Sequence, residues 1–198
     1  MVSRRNTIKK RALRMAIFAS GTGTNFKNIV DASLALKINA QVMVLVCNKK
    51  YAKALNLAKH HNIPTIIIDY DNINKEELEH NLLKELAKYH LDLICLAGFM
   101  RKLSPLFVKT YHNKIINVHP SLLPKYRGLK AMERAYEAKE EKMGATVHFV
   151  DDGLDTGSII IQEAFKVGNR TLEEAIAKTH EIEYRIYLEA INIIEGEN

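Results

Sequence analysis

Residues 115–124 read Ile115-Ile116-Asn117-Val118-His119-Pro120-Ser121-Leu122-Leu123-Pro124. The stretch begins as an apolar run, typical of a buried strand, and then places an amide and an imidazole two residues apart. Side chains two apart on a strand point to the same face, so we expect Asn117 and His119 to reach one pocket. Pro120 and Pro124 then end the strand, because proline has no backbone N–H to donate to the ladder. This pattern predicts a strand that ends at an active site.

Strand-like and helix-like segments alternate on both sides of this stretch. Apolar or β-branched runs predict seven strands, at 15–19, 40–47, 64–68, 91–97, 114–118, 146–150 and 158–165. Apolar residues near helical spacing predict helices at 24–38, 51–61, 75–90, 104–111, 131–139 and 172–194, with Asn74 as the N-cap of the third. Several strands are apolar throughout, which is typical of a parallel sheet covered on both faces. The sequence therefore predicts a three-layer α/β fold with a mostly parallel, Rossmann-like sheet, in a single domain spanning 15–198.

The excess positive charge lies at the N-terminus. The chain has 29 basic and 23 acidic residues, and six of the basic ones fall in the first 14 positions, namely Arg4, Arg5, Lys9, Lys10, Arg11 and Arg14. Removing those six leaves 23 residues of each sign, so the rest of the chain is formally neutral. We expect residues 1–14 to be a disordered basic extension and predict no nucleic-acid or membrane partner. Binding of this extension to RNA or to a membrane surface is the alternative.

The two cysteines and the hydropathy pattern indicate the cellular compartment of the protein. Cys47 and Cys95 each lie inside an apolar run, which is typical of buried thiols in a reducing compartment, so we predict a cytoplasmic protein. Neither cysteine has a second cysteine or a histidine at zinc-site spacing. No apolar stretch approaches the roughly 20 residues that a membrane-spanning helix needs, and the N-terminus lacks the apolar segment of a secretory signal.

A glycine-rich turn, Ser20-Gly21-Thr22-Gly23-Thr24-Asn25, follows the first strand. Free N–H groups and the dipole of a helix N-terminus attract anions, and glycine lets a ligand approach the backbone. A dinucleotide fingerprint would need glycine where Phe26 stands, and a nucleoside-triphosphate loop would need a Gly-Lys-Ser/Thr ending. The turn therefore predicts a single-phosphate site made by Gly23, Thr24 and Asn25, with a tight capped turn that binds no ligand as the alternative.

An acidic loop at 151–157 connects the last two predicted strands. Its acids stand at positions 1, 2 and 5 of the loop, whereas a calcium loop places oxygen ligands at 1, 3 and 5 and a glutamate at 12. An aspartate that reaches His119 is the better-supported interpretation, because it would orient the imidazole and favour its charged form. Ser121 lacks the Gly-x-Ser-x-Gly context of a nucleophilic serine, which argues against a serine hydrolase.

Four segments together resemble the folate-dependent phosphoribosylglycinamide formyltransferases of purine biosynthesis. They are the turn at 20–25, the sequence Leu96-Ala97-Gly98-Phe99-Met100-Arg101, the block at 117–124 and the loop at 151–157. The resemblance runs in order from about Met15 to the end. It implies an α/β formyltransferase fold, glycinamide ribonucleotide and 10-formyltetrahydrofolate as substrates, and no metal. A homodimer is compatible with it.

The resemblance also implies roles for individual residues. His119 is expected to be the general acid, Asn117 the donor to the oxyanion, and Asp155 the group that holds His119 and raises its pKa. The ribonucleotide is expected to contact Gly23, Thr24, Asn25 and Glu183, although periodicity alone would make Glu183 a solvated helix acid. The folate is expected to contact Lys75, Met100, Arg101, Lys102, Leu103 and Asn117.

Two departures from the family pattern stand out. The segment Leu129-Lys130-Ala131-Met132 lacks histidines that well-known members carry, and Tyr187-Leu188 replaces a Tyr-Pro, which we expect to let the last helix continue. The nearest rival functions are formyl transfer to methionyl-tRNA or an amino sugar, and hydrolysis of the formyl-folate. Such enzymes are expected to carry a further C-terminal domain or a domain in front of this core.

Overall fold

A computed structural model of the chain describes residues 11–70 and 74–197. Within these ranges, seven strands form one sheet in the order β3-β2-β1-β4-β5-β6-β7. The first five strands are parallel, whereas β6 pairs antiparallel with β5 and β7 antiparallel with β6. The predicted α/β class with a mostly parallel sheet is confirmed.

All the predicted strands and helices are present, in the predicted order. The strands are β1 Leu13–Ala19, β2 Ala40–Cys47, β3 Thr65–Ile67, β4 Leu93–Leu96, β5 Ile115–His119, β6 Lys142–Phe149 and β7 Ile159–Lys166. The helices are α1 Thr24–Leu34, α2 Lys53–His60, α3 Lys75–Ala87, α4 Pro105–Thr110, α5 Ala131–Glu137 and α6 Leu172–Glu197. Asn74 caps α3 as predicted, since its side chain accepts a hydrogen bond from Glu76 N–H at 2.9 Å.

The first strand starts earlier than predicted, at Leu13 instead of Met15. Arg11 and Arg14 were expected in a disordered extension, but both are held by the fold. The guanidinium of Arg11 makes two hydrogen bonds of 2.9 Å to the Asp92 carboxylate, and Arg14 Nε donates to Tyr89 O at 2.8 Å. The boundary at residue 14 is therefore wrong, and the rest of the predicted extension, residues 1–10, lies outside the described residues.

Helix α1 also ends earlier than predicted, at Leu34, although Ile38 beyond it is buried. Apolar side chains cover both faces of the sheet. One core cluster includes side chains from α1, α2 and α6, and a second lies against α3 and α4. Helix α6 is continuous through Tyr187-Leu188, as expected from the absence of proline there.

Helix α6 is tied to the sheet by one buried hydroxyl. Tyr187 is fully buried, and its O–H lies 2.9 Å from Leu96 O, at the end of β4, and 3.3 Å from Ile116 O, within β5. In the part of the chain that the structure describes, no helix is long and apolar enough to span a membrane.

Candidate active site

Three polar segments meet in the crevice beyond the carboxyl ends of β1, β4 and β5. They are the glycine-rich turn after β1, the loop at 97–103 after β4, and the end of β5 with Asn117 and His119. Asn117 lies opposite Leu96, the last residue of β4. The turn and the loop are directly joined, since Ser20 Oγ accepts a hydrogen bond from Met100 N–H at 2.8 Å. Open α/β sheets bind ligands in such a crevice, at the point where the strand order reverses, which is here between β1 and β4.

Asn117, His119 and Asp155 meet in one cluster, together with His148 of β6. Asp155 Oδ2 lies 3.4 Å from His119 Nδ1, and its Oδ1 lies 3.7 Å from His148 Nε2. Asn117 Nδ2 lies 3.3 Å from the same His148 nitrogen. Only 6% of the His119 side chain, 2% of the His148 side chain and 10% of the Asp155 side chain are exposed. The electrostatic interactions within the cluster are therefore little screened by water.

Each ring nitrogen of His119 faces an oxygen. Nε2 lies 2.9 Å from the carbonyl oxygen of Tyr126, and Nδ1 faces Asp155. A carbonyl oxygen can only accept a hydrogen bond, so Nε2 carries a hydrogen. The Asp155 carboxylate on the other side can also only accept a hydrogen bond. The two oxygens thus fix the orientation of the His119 ring, as general acid–base catalysis requires.

The Asp155 carboxyl is held in its ionised form. Burial raises its pKa, but the His148 ring, the Gly128 N–H and the charge on His119 together bring the pKa below its ordinary value. The Gly128 N–H donates to Asp155 Oδ2 at 2.8 Å, whereas the 3.7 Å contact with His148 is an electrostatic contact, longer than a hydrogen bond. Asp155 therefore supplies a negative charge beside both imidazoles.

The rest of the acidic loop shapes the backbone that presents Asp155. Asp151 Oδ1 accepts hydrogen bonds from Gly153 N–H at 3.0 Å and from the Thr156 hydroxyl at 2.6 Å, and Asp155 itself has a left-handed φ of 53°. Among the described residues, no group of three or more histidines, cysteines or acids is arranged to hold a metal. Asp151 therefore has a local structural partner, and the calcium interpretation of this loop gains no support.

The glycine-rich turn leads into the N-terminus of α1. Gly23 is the N-cap residue with a φ of 78°, and no side chain caps the first turn of the helix. A Cβ at position 23 would lie 2.8 Å from Ala54 Cβ, so packing against α2 also requires glycine there. The N–H groups near Thr24 and Asn25 form the positive end of α1. Asn25 Oδ1 is buried and has no hydrogen-bond partner among the described residues, so the turn is suited to an anion that also carries a hydrogen-bond donor.

Glu183 on α6 is buried, so the expectation from periodicity that it is a solvated acid is wrong. Its Oε2 lies 2.6 Å from His180 Nδ1, and this hydrogen bond, opposed by partial burial, raises the pKa of His180. Asn28 Nδ2 donates to Tyr184 O at 2.8 Å, which ties this part of α6 to α1. Glu183 therefore lies beside the helix that begins at the glycine-rich turn.

The loop after β4 presents a mixed surface. Met100 is 64% exposed and Lys102 is also exposed, whereas Leu103 is 4% exposed and packs in the core. The Arg101 guanidinium lies 5.3 Å from the centroid of the Tyr70 ring, at a distance typical of a cation–π contact. Met100, Arg101 and Lys102 can thus face a ligand with their side chains, while Leu103 can do so only through its backbone.

Lys75, at the first position of α3, lies near a buried acid. Its Nζ is 3.9 Å from Glu79 Oε1, and Glu79 Oε2 accepts a hydrogen bond from Ser104 N–H at 2.8 Å. Glu79 is 1% exposed, and neither its Oε1 nor the Tyr70 hydroxyl has a hydrogen-bond partner among the described residues. This end of the crevice therefore offers a cation together with unsatisfied polar atoms.

Residues 13–191 of the chain match the formyl transferase family. The chain belongs to the formyl transferase family. It is 37% identical over 187 residues to phosphoribosylglycinamide formyltransferase of Bacillus subtilis, covering 93% of this chain and 96% of that protein. The solved structure of phosphoribosylglycinamide formyltransferase from Bacillus halodurans is similar with a TM-score of 0.87 and 38% identity, over 91% of this chain and 94% of that chain.

The trifunctional purine biosynthetic protein adenosine-3 of Drosophila melanogaster is also similar to this formyl transferase. It is 38% identical over 191 residues, which cover 94% of this chain but only 14% of the longer protein. The chain thus corresponds to one segment of that relative and to nearly the whole length of the Bacillus subtilis protein. The family and the fold that the sequence motifs predicted are both confirmed.

Sequence reasoning missed two histidines of this formyl transferase, His148 and His180. His148 enters the cluster because the antiparallel pairing of β6 with β5 sets it opposite Asn117. Its only sequence signal is a polar residue two positions from Thr146 in an otherwise apolar strand. His180 precedes Glu183 by three residues on α6, a spacing at which helical side chains meet.

Proposed function

We propose that this chain transfers the formyl group of 10-formyltetrahydrofolate to the amine of glycinamide ribonucleotide, in the synthesis of purines. Support comes from the cluster of Asn117, His119, His148 and Asp155 in a formyl transferase that is similar to phosphoribosylglycinamide formyltransferases over most of its length. Both substrates are small molecules. We also propose that the protein is cytoplasmic, because Cys47 and Cys95 are free and buried thiols. A homodimeric state is part of the same proposal.

The residues of the crevice divide between the two substrates. The N-terminus of α1, with Gly23, Thr24 and Asn25, would bind the phosphate of the ribonucleotide, and Glu183 would hold its glycinamide group. The folate, which supplies the formyl carbon, would lie against the loop at 100–103. The exposed Met100 side chain and the cations of Arg101, Lys102 and Lys75 suit its flat ring and its carboxylates.

The buried cluster would act on the formyl oxygen and on the transferred proton. As the amine adds to the formyl carbon, negative charge gathers on that oxygen, where Asn117 Nδ2 donates a hydrogen bond. His119 would stabilise the same charge and help to move the proton lost by the amine to the departing folate nitrogen, whose bond to carbon breaks. Because His119 Nε2 is directed at Tyr126 O, this hydrogen bond would be exchanged for one to the substrate.

Orders of magnitude indicate which effect is largest. One oxyanion donor is worth about 3–4 kcal/mol and acid–base catalysis about 10²–10⁴-fold. Holding the amine and the formyl group together can contribute about 7–11 kcal/mol. Positioning of both substrates in one crevice therefore outweighs any single side chain.

A formyl-transfer assay tests the proposal by offering 10-formyltetrahydrofolate with either glycinamide ribonucleotide or water as the acceptor. We expect transfer to the ribonucleotide, and a fall in turnover of at least about 10²-fold in His119→Ala and in Asp155→Asn with folding retained. Asp152→Asn, a change in an exposed acid of the same loop, is the control and should be near normal. Transfer to water alone would reject the proposed acceptor, and near-normal turnover in His119→Ala would reject the assigned acid.

A further inference from the structure

Glu79 of α3 is a buried acid to which the proposed reaction assigns no role. It is only 1% exposed, whereas Glu76 and Glu77 of the same helix are exposed, as acids on a surface helix usually are. Burying a carboxylate is costly unless hydrogen bonds or opposite charges compensate it. The contacts of the two Glu79 oxygens therefore indicate why an acid stands at this position.

One oxygen of Glu79 fixes the end of the loop after β4. Its Oε2 accepts a hydrogen bond of 2.8 Å from Ser104 N–H, and both residues are buried. Ser104 directly follows the loop at 100–103 and is the N-cap of α4, where its hydroxyl accepts a hydrogen bond of 3.2 Å from Phe107 N–H. Ser104 is thus held through its backbone by α3 and through its side chain by α4.

The charge of Glu79 also reaches side chains that flank the same loop. Its Oε1 lies 3.9 Å from Lys75 Nζ, four residues earlier on α3. Burial and the charge of Glu79 raise the pKa of Tyr70, whereas the Arg101 guanidinium over the Tyr70 ring lowers it. Glu79 is therefore close to groups on both sides of the loop, although only its bond to Ser104 holds the loop backbone.

The loop at 100–103 is fixed at both ends by side chains that accept backbone hydrogen bonds. At its start Met100 N–H donates to Ser20 Oγ at 2.8 Å, and just after its end Ser104 N–H donates to Glu79. Leu103, next to Ser104, is 4% exposed and can offer a ligand only its backbone. A loop held in place before a ligand arrives loses less conformational entropy on binding, so the second anchor should matter for affinity.

We propose that Glu79 is a positioning residue for the folate co-substrate, which holds the backbone of the loop at 100–103 in place through its hydrogen bond with Ser104 N–H. The inference rests on the proposed function, because it assumes that the folate lies against this loop. Since Glu79 is buried, it acts on the folate only through Ser104 and the loop. Loss of the bond should therefore weaken folate binding and leave the chemical step and ribonucleotide binding nearly unchanged.

Two substitutions separate the hydrogen bond of Glu79 from its charge. Glu79→Gln keeps an oxygen that can accept from Ser104 N–H but removes the charge, whereas Glu79→Asp keeps the charge on a side chain one methylene too short. In the formyl-transfer assay, Glu79→Asp should raise the KM for 10-formyltetrahydrofolate about 5–20-fold, with kcat and the KM for glycinamide ribonucleotide changed less than about two-fold. Glu79→Gln should keep the folate KM within about three-fold of wild type. Glu77→Gln, at an exposed acid of the same helix, is the matched control and should equal wild type.

A general loss of stability would not give this pattern. Ser33→Ala removes a hydrogen bond of 2.7 Å from Ser33 Oγ to Ala40 O, at the end of the sheet opposite the crevice. This variant should lower the melting temperature without raising the folate KM. In the ligand-free protein, amide hydrogen exchange at 100–104 should be faster in Glu79→Asp than in Glu79→Gln or Ser33→Ala.

Equilibrium binding of tetrahydrofolate separates this inference from the proposed function, because it requires no formyl transfer. A Kd about 5–20-fold higher in Glu79→Asp, and largely restored in Glu79→Gln, supports the positioning role even if the ribonucleotide is not formylated. Equal Kd values in Glu79→Asp and wild type, or a loss in Glu79→Gln as large as in Glu79→Asp, overturn the inference and leave the proposed function standing. An equal loss of ribonucleotide affinity in Glu79→Asp also overturns it and indicates a purely structural acid. If the wild type does not bind tetrahydrofolate, both the inference and the proposed function are wrong.

Discussion

At the scale of single residues, the organisation of the proposed catalytic cluster depends on Asp155. Its carboxylate lies between two imidazoles, and its lowered pKa keeps it charged near neutral pH. Because its folded pKa is below the ordinary value of 3.8, it contributes stability above that pH. This contribution is lost as the pH falls through the folded value. Near neutral pH the charge that holds His119 is therefore constant.

His148 is the residue whose role the sequence did not indicate, and we expect it to position the cluster. His148→Phe keeps a ring but removes the nitrogen that faces Asn117 and Asp155. We expect kcat to fall about 10–100-fold with KM changed less than about three-fold, since misplaced catalytic groups affect the transition state more than binding. Steady-state kinetics as a function of pH measure both effects. The exposed His112→Phe is the control, and a pure KM effect in His148→Phe would contradict the positioning role.

Asn117, His119 and Asp155 could be predicted from the sequence, whereas His148 could not. Asn117 and His119 were predictable because a strand period of two places them together. Asp155 could be proposed only as one acid of the loop until the resemblance selected it. His148 could not be found because the register of β5 with β6, which sets Asn117 opposite His148, is a long-range pairing that local patterns do not encode.

At the scale of helices and strands, local chemistry accounts for most of what could be predicted. Asn74 and Ser104 cap α3 and α4 as their side chains suggest. The ends were less predictable, because Leu13 extends β1 by pairing with Ala40 of β2. The apolar spacing that continues to Ile38 reflects burial of a loop residue after α1 has ended.

Tyr187 links the long helix α6 to strands β4 and β5, and its hydroxyl should contribute to stability. Burial raises the pKa of Tyr187, so the group keeps its hydrogen and donates it to the carbonyl oxygens of Leu96 in β4 and Ile116 in β5. Tyr187→Phe should lower the free energy of unfolding by about 0.5–1.5 kcal/mol, the net value of an intramolecular hydrogen bond. Chemical denaturation measures this, with the 97% exposed Tyr51→Phe as the control. Equal stabilities of Tyr187→Phe and wild type would show that the hydroxyl only fills space.

The His180 and Glu183 pair on α6 should make stability depend on pH. The hydrogen bond to Glu183 raises the folded pKa of His180 above its ordinary value of 6.5. The stabilisation is therefore complete below pH 6.5 and is lost as the pH rises through the folded value. Because 43% of the His180 side chain is exposed, we expect an effect below about 1 kcal/mol. Denaturation of wild type and His180→Gln across this range should show a difference that disappears at high pH, with the exposed His60→Gln as control. A constant difference would indicate packing instead of charge.

At the scale of the whole molecule, the sheet order brings distant segments to one crevice. The parallel strands place the turn after β1 and the loop after β4 side by side, and the antiparallel β6 and β7 add the acidic loop that carries Asp155. The alternation of strands and helices was sufficient to predict the class of fold. It did not predict that the last two strands reverse direction, because hydrophobic patterns record burial and not strand orientation.

The two proposed substrate sites lie on one sheet, so each ligand should stabilise the whole fold, and their effects should be separable. A ligand that binds only the folded state stabilises it by about 2.7 kcal/mol at 100 times its Kd. Glycinamide ribonucleotide and tetrahydrofolate should therefore each raise the melting temperature, and together they should raise it by about the sum of the two shifts. No reaction interferes, because tetrahydrofolate has no formyl group to transfer. Glu183→Gln should weaken only the shift caused by the ribonucleotide, whereas Arg101→Ala should weaken only that caused by the folate. Thermal denaturation of each of the two variants with each of the two ligands measures these shifts. If either substitution removed both shifts, the crevice would contain one shared site, and the division of its residues between two substrates would be wrong.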